Sequence, residues 1–148
     1  MSSGLRLDLT EYERNDPAKG DYLALTAAVS QGGFEGHTLF WVAKVYVESF
    51  VQQLDALDAT LQGRAHLRCG WGEEVLFELL LQPEGHSGRL RANIETISDS
   101  RQPEQSRLST SFVVLPNALT SFRLALASVV GGESTGPAAL EIDLEAAV

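Results

Sequence analysis

The chain has 148 residues, 44% of them hydrophobic, and carries 20 acidic against 11 basic side chains for a formal net charge of −9. That length supports one domain with a real core, and the hydrophobic share is that of a folded protein rather than a disordered one. The acid excess argues against nucleic acid and against an anionic membrane surface, both of which need cations to meet phosphate; it suits either solubility or a basic protein partner.

Leu5, Leu7 and Leu9 alternate with Arg6, Asp8 and Thr10, which predicts a half-buried first strand. Turn chemistry follows from Asn15 to Gly20. Tyr22 to Ser30 reads as a second strand, Gly32 and Gly33 break it, and Phe34 to Val42 reads as a third. From Lys44 the period changes: Val47, Phe50, Val51, Leu54, Leu57 and Leu61 line one face of a helix over roughly 45–61, with Gly63 as a natural stop.

From Arg64 to Leu115 the alternation returns and predicts a four-strand meander. Folding it about Gly70, Trp71 and Gly72, and again about Pro83 to His86, sets Arg68 opposite Glu74, Arg64 opposite Glu78 and Glu78 opposite Arg91. A third turn near Ser100 sets Glu95 opposite Arg107. One face is then a ladder of opposite charges and the other, with Leu67, Cys69, Phe77, Leu79, Leu90, Ile94, Leu108 and Phe112, is apolar. Pro116 suits the first turn of a second helix, whose face carries Leu119, Phe122, Arg123, Leu126 and Val130 before Gly131 and Gly132. Leu140, Ile142 and Leu144 give a short last strand.

The order β-β-β-α-β-β-β-β-α-β predicts a single α+β domain over residues 1–148, mainly antiparallel sheet, with both helices on its apolar face. No internal repeat is evident. Cys69 is the sole cysteine, so neither a disulfide nor a cysteine-based zinc site is expected. The opening residues lack an apolar stretch after a basic start, and no run reaches the roughly 18 apolar residues of a membrane span. A cytoplasmic protein without membrane attachment is expected.

Chemistry is sparsely written. His37, His66 and His86 have no zinc-ligand spacing. No nucleophile elbow accompanies any serine, and the glycine pairs lack the spacing and lysine of a phosphate loop. Hence no catalytic residue, metal ligand or cofactor is assigned. Glu11 with Glu13 and Glu73 with Glu74 are paired acids on a solvated edge. Trp41 reads as core. Trp71, between two glycines at a hairpin tip, reads either as a partner anchor or as a ring folded back on the sheet.

Thr38, Leu39, Phe40 and Trp41, the helix with Phe50 to Leu54 and Leu57, and the run from Leu61 to Leu67 resemble the WapI-type immunity proteins of bacterial polymorphic and contact-dependent toxin systems. Gly88 to Arg91 and the later Phe112, Leu119, Phe122 and Leu126 fit the same pattern, which covers residues 34–130. The first thirty residues and the Trp71 hairpin depart from it. The resemblance implies a cytoplasmic, non-enzymatic protein that binds and neutralises one cognate toxin. Candidate contacts are Glu11, Glu13, Asp16, Glu73 and Glu74, with Trp71 as anchor. The alternatives are a small enzyme with a cleft between helices and sheet, revived by a pocket that gathers His37 or His66 with a carboxylate, and an adaptor or homodimer pairing through a strand edge.

Overall fold

Among the described residues, period-two alternation produces eight strands, and apolar residues recurring every three or four positions produce two helices. The computed structural model describes residues 4–16, 20–71, 74–85, 88–97 and 107–142. Along it run β1 (Gly4–Asp16), β2 (Gly20–Gln31), β3 (Phe34–Ala43), α1 (Lys44–Thr60), β4 (Ala65–Trp71), β5 (Glu74–Pro83), β6 (Leu90–Ile97), β7 (Arg107–Val114), α2 (Pro116–Val130) and β8 (Ala138–Glu141). The α+β class and the element order are those expected. The antiparallel strands divide, however, into two four-stranded sheets, ordered β3-β2-β1-β8 and β4-β5-β6-β7. β8 returns from the far end of the chain to pair with β1, setting Leu5 opposite Leu140 and Leu7 opposite Ala138.

Each sheet has one apolar face, and each helix one apolar stripe, that must be covered. α1 buries Val47, Phe50, Leu54 and Leu57; α2 buries Leu119, Phe122, Leu126, Val129 and Val130. The sheets meet where Phe40 of β3 stacks on Phe77 of β5, with ring centroids 5.0 Å apart and planes 6° from parallel. The helices pack on one another, α1 also against β4 and α2 against β8. α1 stops at Leu61, whose backbone enters the left-handed region (φ 53°) and donates its N–H to the Leu57 carbonyl. Gly63, the expected stop, lies past this cap. Pro116 does open α2, where a missing N–H costs nothing.

The charge ladder keeps its face but not its partners. Arg68 faces Glu78 instead of Glu74, Arg91 faces Gln82 instead of Glu78, and Glu78 faces Glu95. Arg64 lies before the start of β4. Glu95 faces Ser109, although Arg107 still reaches it diagonally, 2.9 Å away. Two causes are visible. Trp71 pairs with Glu74, so the first hairpin turns beyond Trp71, and the register slips between Cys69 and Gly70. Gly70 is required there, because a Cβ would fall 1.8 Å from the Glu74 carbonyl oxygen. Arg68, Arg91 and Glu95 are displaced by even numbers of residues and keep their face, whereas Glu74 moves three residues along β4, from Arg68 to Trp71, across the slip.

A recurrence that the sequence reading missed is visible in the topology. β1-β2-β3-α1 and β5-β6-β7-α2 follow the same course, and β8 flanks β1 as β4 flanks β5. The registers agree as well. Leu5 and Leu7 lie between Val29 and Ala27 on one side and Leu140 and Ala138 on the other. Phe77 and Leu79 lie between Thr96 and Ile94 on one side and Cys69 and Leu67 on the other.

Candidate functional site

The outer face of the sheet β4-β5-β6-β7 carries a dense set of polar side chains. Alternation places Leu67, Phe77, Leu79 and Ile94 inward and sends their neighbours outward. One row across the sheet reads Arg68, Glu78, Glu95, Ser109 and the next His66, Leu80, Asn93, Ser111. These rows line an open hollow of about 570 Å³ with His66, Glu78, Asn93, Glu95 and Ser111 on its walls and Leu80 among them.

Within it His66 Nε2 lies 2.7 Å from Glu78 Oε2, with side chains 44% and 32% exposed. Glu78 and Glu95 stand directly opposite each other, an apposition that costs stability unless cations flank it. Arg68 faces Glu78 across the ladder and Arg107 flanks Glu95, while the His66 imidazole lies against Glu78. Beyond the hollow Arg91 donates through Nε and Nη2 to Glu84 Oε1, at 3.1 and 2.8 Å, and through Nη1 to Ser111 Oγ at 2.9 Å. The His66 backbone N–H is taken up by Gln53 Oε1 of α1 at 2.9 Å, which ties the hollow's edge to the helix. The arrangement neutralises charge locally, and it also holds an imidazole and a carboxylate together on an accessible wall.

A second polar cluster joins the helices. Arg123 donates to Asp58 at 2.9 Å and to Asp55 at 3.0 Å, and the Thr120 hydroxyl donates to the other Asp58 oxygen at 2.8 Å. Its bond to Asp58 raises the Arg123 pKa still further above its already high ordinary value. A third cluster surrounds Tyr12, whose hydroxyl donates to Asp21 at 2.7 Å while the Arg14 guanidinium and the Lys44 ammonium lie over its ring. Hydrogen bonding to Tyr12 holds the Lys44 pKa above the usual lysine value.

The nominated contact residues fall into two groups on different sheets. Glu11 and Glu13 are exposed on β1, opposite Ala24 and Tyr22, and Asp16 ends that strand opposite Gly20. Trp71 ends β4 opposite Glu74, which is half-buried and already engaged in an interaction. Glu73 and His86 lie outside the described residues. His37 is exposed on β3, and Trp41, expected in the core, is only half-buried because it projects from the face opposite Phe40. Cys69 is buried, and desolvation pushes its thiol up to about 12, so it is a core residue and not a nucleophile.

Sequence reasoning missed the His66–Glu78 pair because their contact depends on the register of β4 on β5. It also missed the Arg123 clamp, for which the spacing of Asp55 and Asp58 on α1 and a lone arginine on the apolar stripe of α2 were the available signals. Among the described residues no three of His, Cys, Asp and Glu gather as a metal site would require, and no helix is long and apolar enough to cross a membrane. No family model matches the chain, and no curated protein matches it.

Proposed function

We propose that this chain is a non-enzymatic, cytoplasmic binding protein of the immunity type, which neutralises a basic toxin domain by direct contact. The observation that carries the reading is where the charge goes. The cations on the outer sheet face are spent on neighbouring carboxylates, Arg107 on Glu95 and Arg91 on Glu84, while Glu11 and Glu13 stand exposed on β1. A net charge of −9 together with exposed acid raises the association rate with a basic partner and rejects acidic ones. The test is co-expression with the toxin encoded beside this gene. Protection of the cell and a stable complex are expected, and Glu11→Lys with Glu13→Lys should slow association and weaken its salt dependence. A neighbouring gene without a toxin domain, together with no captured partner, overturns the reading.

The His66–Glu78 pair on the wall of the 570 Å³ hollow favours a second reading, a small enzyme using an imidazole held by a carboxylate as general base. Turnover of any ester, amide or phosphate substrate that is lost in His66→Ala and in Glu78→Gln would establish it in place of the first.

A further inference from the structure

The two courses of chain are equivalent in more than outline. Thr38, Phe40 and Val42 on β3 correspond to Thr110, Phe112 and Val114 on β7, with the same inward alternation. At the same sequence separation, Val47, Phe50, Leu54 and Leu57 of α1 correspond to Leu119, Phe122, Leu126 and Val129 of α2, all buried. Leu5 and Leu7 of β1 correspond, again at that separation, to Phe77 and Leu79 of β5. One recurrence of an alternating strand is commonplace. Agreement of two strands and one helix stripe at one separation and in the same order is not what independent segments produce.

Corresponding threonines of the two courses each reach the end of the other course's second strand, through different acceptors. The Thr38 hydroxyl of β3 donates to the Ile97 carbonyl at the end of β6, 3.1 Å away. The corresponding Thr110 of β7 donates to the Gln31 side chain at the end of β2. Gly36 and Leu108, each two residues before its threonine, meet each other: a Cβ on Gly36 would fall 2.6 Å from Leu108 Cδ2, the movable end of that side chain, and 3.5 Å from its Cβ. A residue that touches its own counterpart sits where a twofold axis relating the two courses would pass, as at the centre of an isologous interface.

We propose that the chain is a duplicated β-β-β-β-α unit, and that the surface joining its halves is a self-complementary docking surface for a second copy of that unit. One unit is β4 to α2. The other is β8 followed by β1 to α1, its first strand supplied by the opposite end of the chain. Each helix leads directly into the first strand of the other unit and packs against it, α1 on β4 and α2 on β8.

The test is circular permutation of the whole chain. Joining its two ends and reopening at Gly63 places the β4–α2 unit first; reopening at Gly132 places it second. Both permutants are expected to keep the near-ultraviolet circular dichroism and the single cooperative transition of the natural chain. Cleavage of the first permutant at a site inserted after Gly132 then frees the β4–α2 unit, which is expected to sediment at twice its own mass. In a Cys69→Ala background a Leu108→Cys version of that unit is expected to crosslink to itself under a disulfide-forming oxidant, since on the axis it meets its counterpart at about the 3.5–4.5 Å between Cβ atoms that a disulfide requires. A permutant that loses the native spectrum, or a freed unit that neither pairs nor crosslinks, overturns the proposal.

Discussion

The half built from β8, β1, β2, β3 and α1 and the half built from β4 to α2 share an interior and differ outside. Inside, Phe40 answers Phe112 and Phe50 answers Phe122, all almost fully buried. Outside, His66 and Arg68 of β4 stand where the other half has Pro137, just before β8, and Ala139 of β8, and Glu78 and Glu95 stand where the first half has Arg6 and Ala28. The skeleton is held by packing, which tolerates little change in volume, whereas an outward position on a strand is constrained only by its cross-strand neighbours. The two exteriors have therefore been free to acquire different chemistry, and only one gathers an imidazole and two carboxylates on a single hollow.

Phe50→Ala and Phe122→Ala give the hardest test of that likeness. Each removes a ring with no exposed surface, and each is expected to cost about 3–5 kcal/mol by denaturant unfolding. Markedly unequal values would break the equivalence of the two helix stripes. Asp58→Ala probes a difference. Arg123 and Asp58, with side chains 25% and 15% exposed, correspond to Val51 and Val130 on the other side of the axis, so the clamp exists once. Its loss is expected to cost roughly 1.5–3 kcal/mol in the same measurement, since hydrogen bonds to charged groups carry about that much. An unchanged unfolding midpoint would reduce the clamp to a surface ornament.

Gln53→Ala should have the smallest effect, about 1 kcal/mol for one orphaned backbone donor, read from thermal unfolding and from faster exchange of the His66 amide. The matching position of α2 is Ala125, beside Pro137 just before β8. Proline has no N–H, so the second half needs no acceptor there and the first half does. Slow exchange of the His66 amide in Gln53→Ala would show that another protein acceptor replaces the glutamine.

How much of this is legible in the sequence follows from which interactions are local. Strand and helix limits, and the face each residue takes, are encoded residue by residue through the alternation of Leu5, Leu7 and Leu9 or the stripe of Val47, Phe50 and Leu54. Register is not. It depended on where the chain turns after Trp71 and on the slip at Gly70, and a wrong turn moved Arg68 from Glu74 to Glu78 while leaving it on the same face. The His66–Glu78 pair was illegible for that reason. The division into two sheets was illegible because β8 pairs with β1 from the other end of the chain. The duplication escaped notice because few residues are identical between the halves, chiefly Thr38 and Thr110, Phe40 and Phe112, Val42 and Val114, Phe50 and Phe122, and Leu54 and Leu126. The hairpins before them also differ in length, which puts β2 and β6 out of step with the strands on either side.

The pairing of β8 with β1 also bears on how the polypeptide acquires its shape during synthesis. Domains generally fold as the chain emerges from the ribosome, amino end first. Here the strands β1, β2 and β3 emerge early with one edge lacking its neighbour, while β4 to α2 are complete before β8 is made. The later-translated portion is thus able to consolidate first and offer a template on which the earlier one closes. Until Ala138 to Glu141 are made, the flank of β1 that they cover lacks its ladder partner.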